Sequence, residues 1–319
     1  NTLLGEQDMA GFDGHKQRDV VGFGGKPPAI GWPGNARLAI SLVVNYEEGS
    51  ERGYSMGDPD QETATEWGSY PFPEGVRNLA MESMTEYGSR VGVWRLLELF
   101  DDLDVKSTFY ACAVAFEQNP AVAKAFTDAN HDLCSHGYRW EEVFRLTRKE
   151  EAERIQMAIK SFENTCGQRP VGWYCRYGPS ENTRELVVEE GGFKYDCDAY
   201  NDDTPFFVEV LGKPHLVVPY TPDINDFSFW LSPGFVTADD FFQYLRDSFD
   251  TLYAEGANTT RMMSIGLHPR MIGRPGRISG LRKFIEYAKG FPDVWFAKRG
   301  DIADHWIANR DSVPGPRTK

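Results

Sequence analysis

From Arg37 onward the chain alternates short β-branched or aromatic runs with amphipathic stretches, and this rhythm restricts it to a parallel-stranded α/β fold. Strand-sized runs occupy 38–46, 106–114, 131–136, 171–175, 194–199, 215–220, 262–268 and 294–297. Helical stretches fall at 91–103, 121–129, 148–165, 182–190, 237–254, 280–289 and 301–309. Phe241, Leu245, Phe249 and Leu252 show the i, i+3, i+4 spacing of a helix face. Glycines at 167, 191, 192, 256 and 290 sit where helices should end. With no linker and no internal repeat, the rhythm predicts one domain, 37–310, able to close as a barrel. Three segments stand outside it: a Gly/Pro-rich arm (1–36), a tail (311–319), and an insertion after the first strand (50–89). Tyr54, Trp67, Tyr70, Phe72 and Tyr87 favour an ordered insertion that covers the domain as a lid.

Composition narrows the partners. The net charge of −14 speaks against nucleic acid or an anionic membrane, both of which require a basic face. No apolar run reaches the roughly 18 residues of a membrane span. Five cysteines without a CxxC pair form neither a disulfide framework nor a zinc cluster, so the expected compartment is cytoplasmic. The chain begins at Asn1, which leaves room for a removed leader.

Polar and imidazole residues gather after the strands. They include Asn45-Tyr46-Glu47-Glu48-Gly49, Ser135-His136-Gly137-Tyr138-Arg139-Trp140, Cys175-Arg176-Tyr177, the acids Asp196, Asp198, Asp202 and Asp203, then Asp223, Asn225 and Asp226, and Leu267-His268-Pro269-Arg270. In parallel α/β folds the C-terminal strand ends converge on one mouth, where active sites are built. Each residue also has a plainer reading. Glu47 and Glu48 resemble a solvated loop pair, and His136 or His268 alone resembles a core histidine. Cys175 reads as a small buried hydrophobe. Two histidines and a carboxylate at three strand ends nevertheless suit activation of water by acid and base. His131 and His215 lie at or before strand starts and read as structural. Strand alternation points Asn45 and Glu47 the same way, into the mouth. The run Gly22-Phe23-Gly24-Gly25-Lys26 is followed by Pro27 and Pro28 rather than a helix, so it is no phosphate loop.

The acidic pair after strand one, His136 after strand three and the late Leu267-His268 resemble the polysaccharide deacetylase (NodB-homology) superfamily. More narrowly, Trp32-Pro33-Gly34-Asn35-Ala36-Arg37, Asn45-Tyr46-Glu47-Glu48-Gly49, Cys134-Ser135-His136-Gly137-Tyr138-Arg139-Trp140 and Ile272-Gly273-Arg274-Pro275 are similar to its metal-independent allantoinase and cyclic-imidase branch. The resemblance implies a distorted (β/α) barrel and a homo-oligomer, a tetramer. It also implies hydrolysis of a cyclic amide such as allantoin, a hydantoin or a cyclic imide.

Trp140 stands where the metal-dependent deacetylases carry their second motif histidine. A divalent ion held only by one carboxylate and His136 would lack the third protein ligand of a hydrolytic zinc site. The expected cofactor is therefore none, the alternative being one divalent metal such as zinc at Glu47/Glu48 and His136. In the metal-free reading Glu47, with Glu48 beside it, activates water and His136 orients the base or binds the oxyanion. His268 protonates the leaving nitrogen. Arg139, Arg176 and Arg270 hold carbonyl oxygens, Trp140 packs on the ring, and Asn45, Tyr177 and Asp203 complete the binding set. The loop Cys175-Arg176-Tyr177-Gly178-Pro179-Ser180-Glu181 differs from that of the allantoinases, which sets allantoin itself apart from other rings. The same fold could instead carry an N-deacetylase of chitin or peptidoglycan sugars, or a non-catalytic binding protein.

Overall fold

The computed structural model describes residues 18–315. Its first strand, β1 (Leu38–Tyr46), is buried along its whole length. That is why it reads as a nearly unbroken apolar run rather than an alternating one. The insertion carries a small hairpin, β2 (Ala64–Thr65) and β3 (Gly68–Ser69), then helix α1 (Leu79–Tyr87). A π-turn over Gly88–Gly92 leads into α2 (Val93–Asp102). There follow β4 (Thr108–Ala111), α3 (Ala113–Gln118), α4 (Pro120–Asp128), β5 (Asp132–Ser135), α5 (Arg148–Cys166), β6 (Gly172–Trp173), α6 (Thr183–Glu190) and β7 (Tyr195–Asp196). The hairpin β8 (Phe206–Val210) and β9 (Lys213–Val217) precedes α7 (Ala238–Glu255), β10 (Arg261–Leu267), α8 (Pro269–Ile272), α9 (Ile278–Lys289), β11 (Val294–Phe296) and α10 (Arg299–Ala308).

Neighbouring strands run in the order β10-β1-β4-β5-β6-β7-β9-β8, with β11 beside the start of β1. All pairings in this sheet are parallel except β8 with β9. The outer edge of β10 is met by the segments flanking that hairpin. Met262 N–H donates to Asp203 O at 2.9 Å and Gly266 N–H to Ile224 O at 2.9 Å. Irregular backbone thus closes the sheet into a distorted (β/α) barrel. Ile40, Leu42, Val44 and Tyr46 face the helices, whereas Ala39 and Val43 join Tyr110, Tyr195 and Tyr220 in a separate interior cluster.

Several elements differ from the sequence reading. The run 106–114 divides, because Ala113–Gln118 is a buried helix that periodicity cannot distinguish from strand over so short an apolar stretch. The 91–103 helix runs on without a break from the π-turn and α1 before it. β8 and α1 were not anticipated. The arm's described part does not lie over the mouth. Pro28 O, Ile30 N and Trp32 Nε1 bond Thr260 and Arg261 at the start of β10, the opposite end of the barrel. A 3-10 turn over Arg310–Ser312 joins the domain to the tail, while residues 1–17 and 316–319 lie outside the described set.

Candidate active site

β1 delivers Asn45 inward. Its Nδ2 donates to Tyr220 Oη at 2.9 Å, which braces the barrel wall. Two residues on, Glu47 is fully enclosed in the mouth. Its Oε1 lies 3.0 Å from His136 Nε2 and 3.8 Å from His268 Nε2, and its Oε2 accepts from Arg270 Nη2 at 2.7 Å. Burial alone would raise this carboxyl, but Arg270 and His136 outweigh it and hold Glu47 well below the usual carboxylate range. Glu48 turns the other way, under Gly88 and the N–H of Arg270. Burial, with Glu47 adding to it against Arg270, pushes Glu48 up to about 7.

His136 follows β5. Its Nδ1 faces Tyr174 O at 3.1 Å, and its ring stacks on Tyr174. Both ring nitrogens therefore face acceptors. His268 ends β10, with Pro269 at the first position of α8 presetting the turn that swings Arg270 into the mouth. Asp226 anchors His268 twice, at Nδ1 (2.6 Å) and at the backbone N–H (2.6 Å). Asp226 belongs to the polar cluster the sequence showed after the sixth strand-sized run, but nothing in the sequence indicates that it meets a histidine 42 residues on.

Trp140 packs at the edge of the core with two guanidiniums against its ring, Arg176 at 3.6 Å and Arg270 at 5.2 Å. It lines a pocket together with Glu47, Glu51, Glu62, Ala64, Thr85, Trp230 and Arg270. The pocket has room for about one water molecule. Glu51, Glu62, Ala64 and Thr85 come from the insertion, which sequence reasoning treated as a cover and not as a source of lining groups.

Other predicted residues lie outside this pocket lining. Arg139 reaches the rim, but its guanidinium is bidentate with Asp58 of the insertion (2.6 and 3.0 Å). Arg176 is paired with Glu62 and donates to Trp140 O. Both are committed to the lid in this form. Tyr177 is half-exposed over Arg176 and away from the pocket lining. Asp203 lies by the start of β10, at the far end of the barrel, because the segment before β8 runs along the outer edge of β10. Asp202 sits beside Gly22 of the arm. Asp198 accepts from the Cys175 N–H behind the mouth. His215 pairs with Asp196, and His131 accepts from the Ser107 N–H, both in structural surroundings.

Residues 83–195, which include His136 and Trp140, match the family described as polysaccharide deacetylase. A Schizosaccharomyces pombe protein assigned to the polysaccharide deacetylases is 40% identical over 314 residues, covering 92% of this chain and 98% of that one. This chain belongs to the polysaccharide deacetylase family. Among solved structures of similar proteins, the PuuE allantoinase superposes with a TM-score of 0.89 at 49% identity, covering 95% of this chain and 100% of its own. A Pseudomonas aeruginosa protein assigned to the polysaccharide deacetylases gives 0.88 at 48% identity, covering 93% and 99%. Among the described residues no three His, Cys, Asp or Glu side chains are placed to hold a metal ion. The Arg270 guanidinium lies against both Glu47 and Glu48, and an indole cannot ligate. These residues do not fit a hydrolytic metal centre.

Proposed function

We propose that this chain is a metal-independent hydrolase that opens a cyclic amide of allantoin, hydantoin or cyclic-imide type. The observation carrying this reading is Arg270, a permanent cation 2.7 Å from Glu47 and 3.5 Å from Glu48, where a metal would have to sit. The likeness to PuuE allantoinase supports it. In this reading Arg270 polarises the carbonyl, a role for which a fixed donor in a dry pocket is worth several kcal/mol. Glu47 takes a proton from water. A carbonyl that draws on Arg270 weakens its grip on Glu47 and restores the carboxylate's basicity as the reaction begins. His268, with Asp226 holding its Nδ1, protonates the leaving nitrogen, and His136 fixes the orientation of Glu47.

The family assignments of the S. pombe and P. aeruginosa relatives favour a second reading, N-deacetylation of an amino sugar. A narrow, lidded pocket is poorly shaped for a polymer. A hydrolysis screen of allantoin, hydantoins, cyclic imides and acetylated chito-oligomers separates the two. Ring opening should survive exhaustive chelation, and Glu47→Gln and His268→Ala should each lower kcat by about 10²–10⁴. Full loss on chelation with recovery on zinc addition overturns the metal-free reading.

A further inference from the structure

Three carboxyl groups line the pocket, and two of them have a cation. Glu47 meets Arg270 and Glu62 meets Arg176. Glu51 forms no ion pair among the described residues. Its Oε2 accepts the Gly49 N–H at 2.7 Å. Its backbone is pinned, since it bridges to Trp140 and its carbonyl accepts from Arg139 Nη2 at 3.1 Å. Burial pushes its carboxyl above the ordinary value, and the nearby charges that act on it include Arg270 and Glu47. Arg270 lines the same pocket, and its Nη1 is buried, 3.5 Å from Glu48 Oε1, without a hydrogen bond. The pocket thus presents an acceptor without a counter-ion and a guanidinium nitrogen that has an ion-pair neighbour but no hydrogen bond.

We propose that Glu51 and Arg270 form an acceptor–donor pair that reads the adjacent N–H and C=O of a cis amide, making Glu51 the residue that selects a ring. This rests on the ring-opening reading above. In a small ring the amide is held cis, so its N–H and C=O leave on the same side. An open-chain secondary amide such as an acetamido group is trans by about 2.5–4 kcal/mol, and its N–H and C=O point apart. One wall carrying both groups can therefore meet a cyclic amide with two bonds and an acetamide with one. The arrangement also accounts for Arg139, which acts as a positioning residue by fixing the Glu51 backbone.

The test compares kcat/KM for a cyclic imide with a free N–H and for the same ring N-methylated, in wild type, Glu51→Ala and Glu51→Gln. Glutamine keeps the volume, and its oxygen stays with the Gly49 N–H, so its amide N–H₂ faces the ring. Discrimination that is purely steric survives that change, whereas discrimination by hydrogen bonding does not. The wild type should prefer the N–H ring by about 10- to 100-fold, the worth of one charge-assisted bond, and both variants should lose the preference. Thermal melts within a few degrees of wild type establish that the variants are folded. Retained preference in folded Glu51→Gln overturns the assignment while leaving ring opening intact. A wild type that opens neither ring removes the ring-opening reading and this proposal with it.

Discussion

Glu47 and Glu48 are adjacent in sequence and both buried, yet their acidities move in opposite directions. Glu47 has a guanidinium and an imidazole within hydrogen-bonding distance. Glu48 has the more distant Arg270 Nη1, backbone N–H groups, and the Glu47 charge nearby. The consequence for stability has a definite sign. Between pH 4.5 and about 7 the unfolded chain has released the Glu48 proton while the folded chain keeps it. Stability contributed by Glu48 therefore falls as pH rises through that window and levels off above it. Glu47 behaves oppositely: its contribution is present above the ordinary carboxylate range and is lost as pH falls below it. Denaturant unfolding across pH should show wild type losing about 1.4 kcal/mol per pH unit relative to Glu48→Gln within the window. A flat difference would show that Glu48 is ionised throughout. The motif named both acids, but which one is ionised depends on Arg270, 222 residues beyond Glu48.

At the level of elements, the insertion is the part whose role changed most. Its composition indicated a lid; its packing makes it a wall of the site. It is clamped by charge: Arg139 to Asp58, Arg277 to Glu66 at 2.8 Å, Arg52 to Glu142 at 3.2 Å, and Arg176 to Glu62. With space for about one water beneath it, the proposed ring opening requires the clamp to loosen before a ring enters. Partly exposed pairs contribute about 0–1 kcal/mol each. The double variant Asp58→Asn/Glu66→Gln should therefore be cleaved within 50–89 by a protease up to about tenfold faster than wild type, with a nearly unchanged melting temperature. Equal cleavage rates would place the restraint in packing instead. Beside the lid, the π-turn Gly88–Gly92 shows a tighter constraint. A Cβ on Gly92 would lie 2.0 Å from Pro269 O, so only glycine lets α8 approach closely enough to place Arg270 by Glu48.

At the level of the whole molecule, one barrel separates two tasks. Its C-terminal strand ends carry the candidate chemistry, while the described arm and Asp203 lie at the opposite end. The acid surplus is accordingly divided. Glu47, Glu48, Glu51 and Glu62 line or underlie the mouth; Asp202 and Asp203 do not. Trp67 (76% exposed), Tyr70 (64%) and Leu79 (63%) leave apolar surface on the insertion, consistent with the proposed homotetramer. Light scattering of the purified protein should give four chain masses, and a single chain mass would refute the assembly.

The sequence alone determined the α/β class, the polarity of the strands, and three centres of the candidate site, Glu47, His136 and His268. Those features are local: burial of a strand on both faces makes it uniformly apolar, and functional groups follow such runs directly. The structure decided the matters that depend on contacts between distant segments. It closed the barrel through irregular backbone, placed Asp226 behind His268, and brought Glu51 and Glu62 into the pocket. It also assigned Arg139 and Arg176 to the lid and Arg270 to the acidic pair. An arginine's place in sequence fixes its charge but not its counter-ion, because its long side chain can reach any carboxylate the fold brings near.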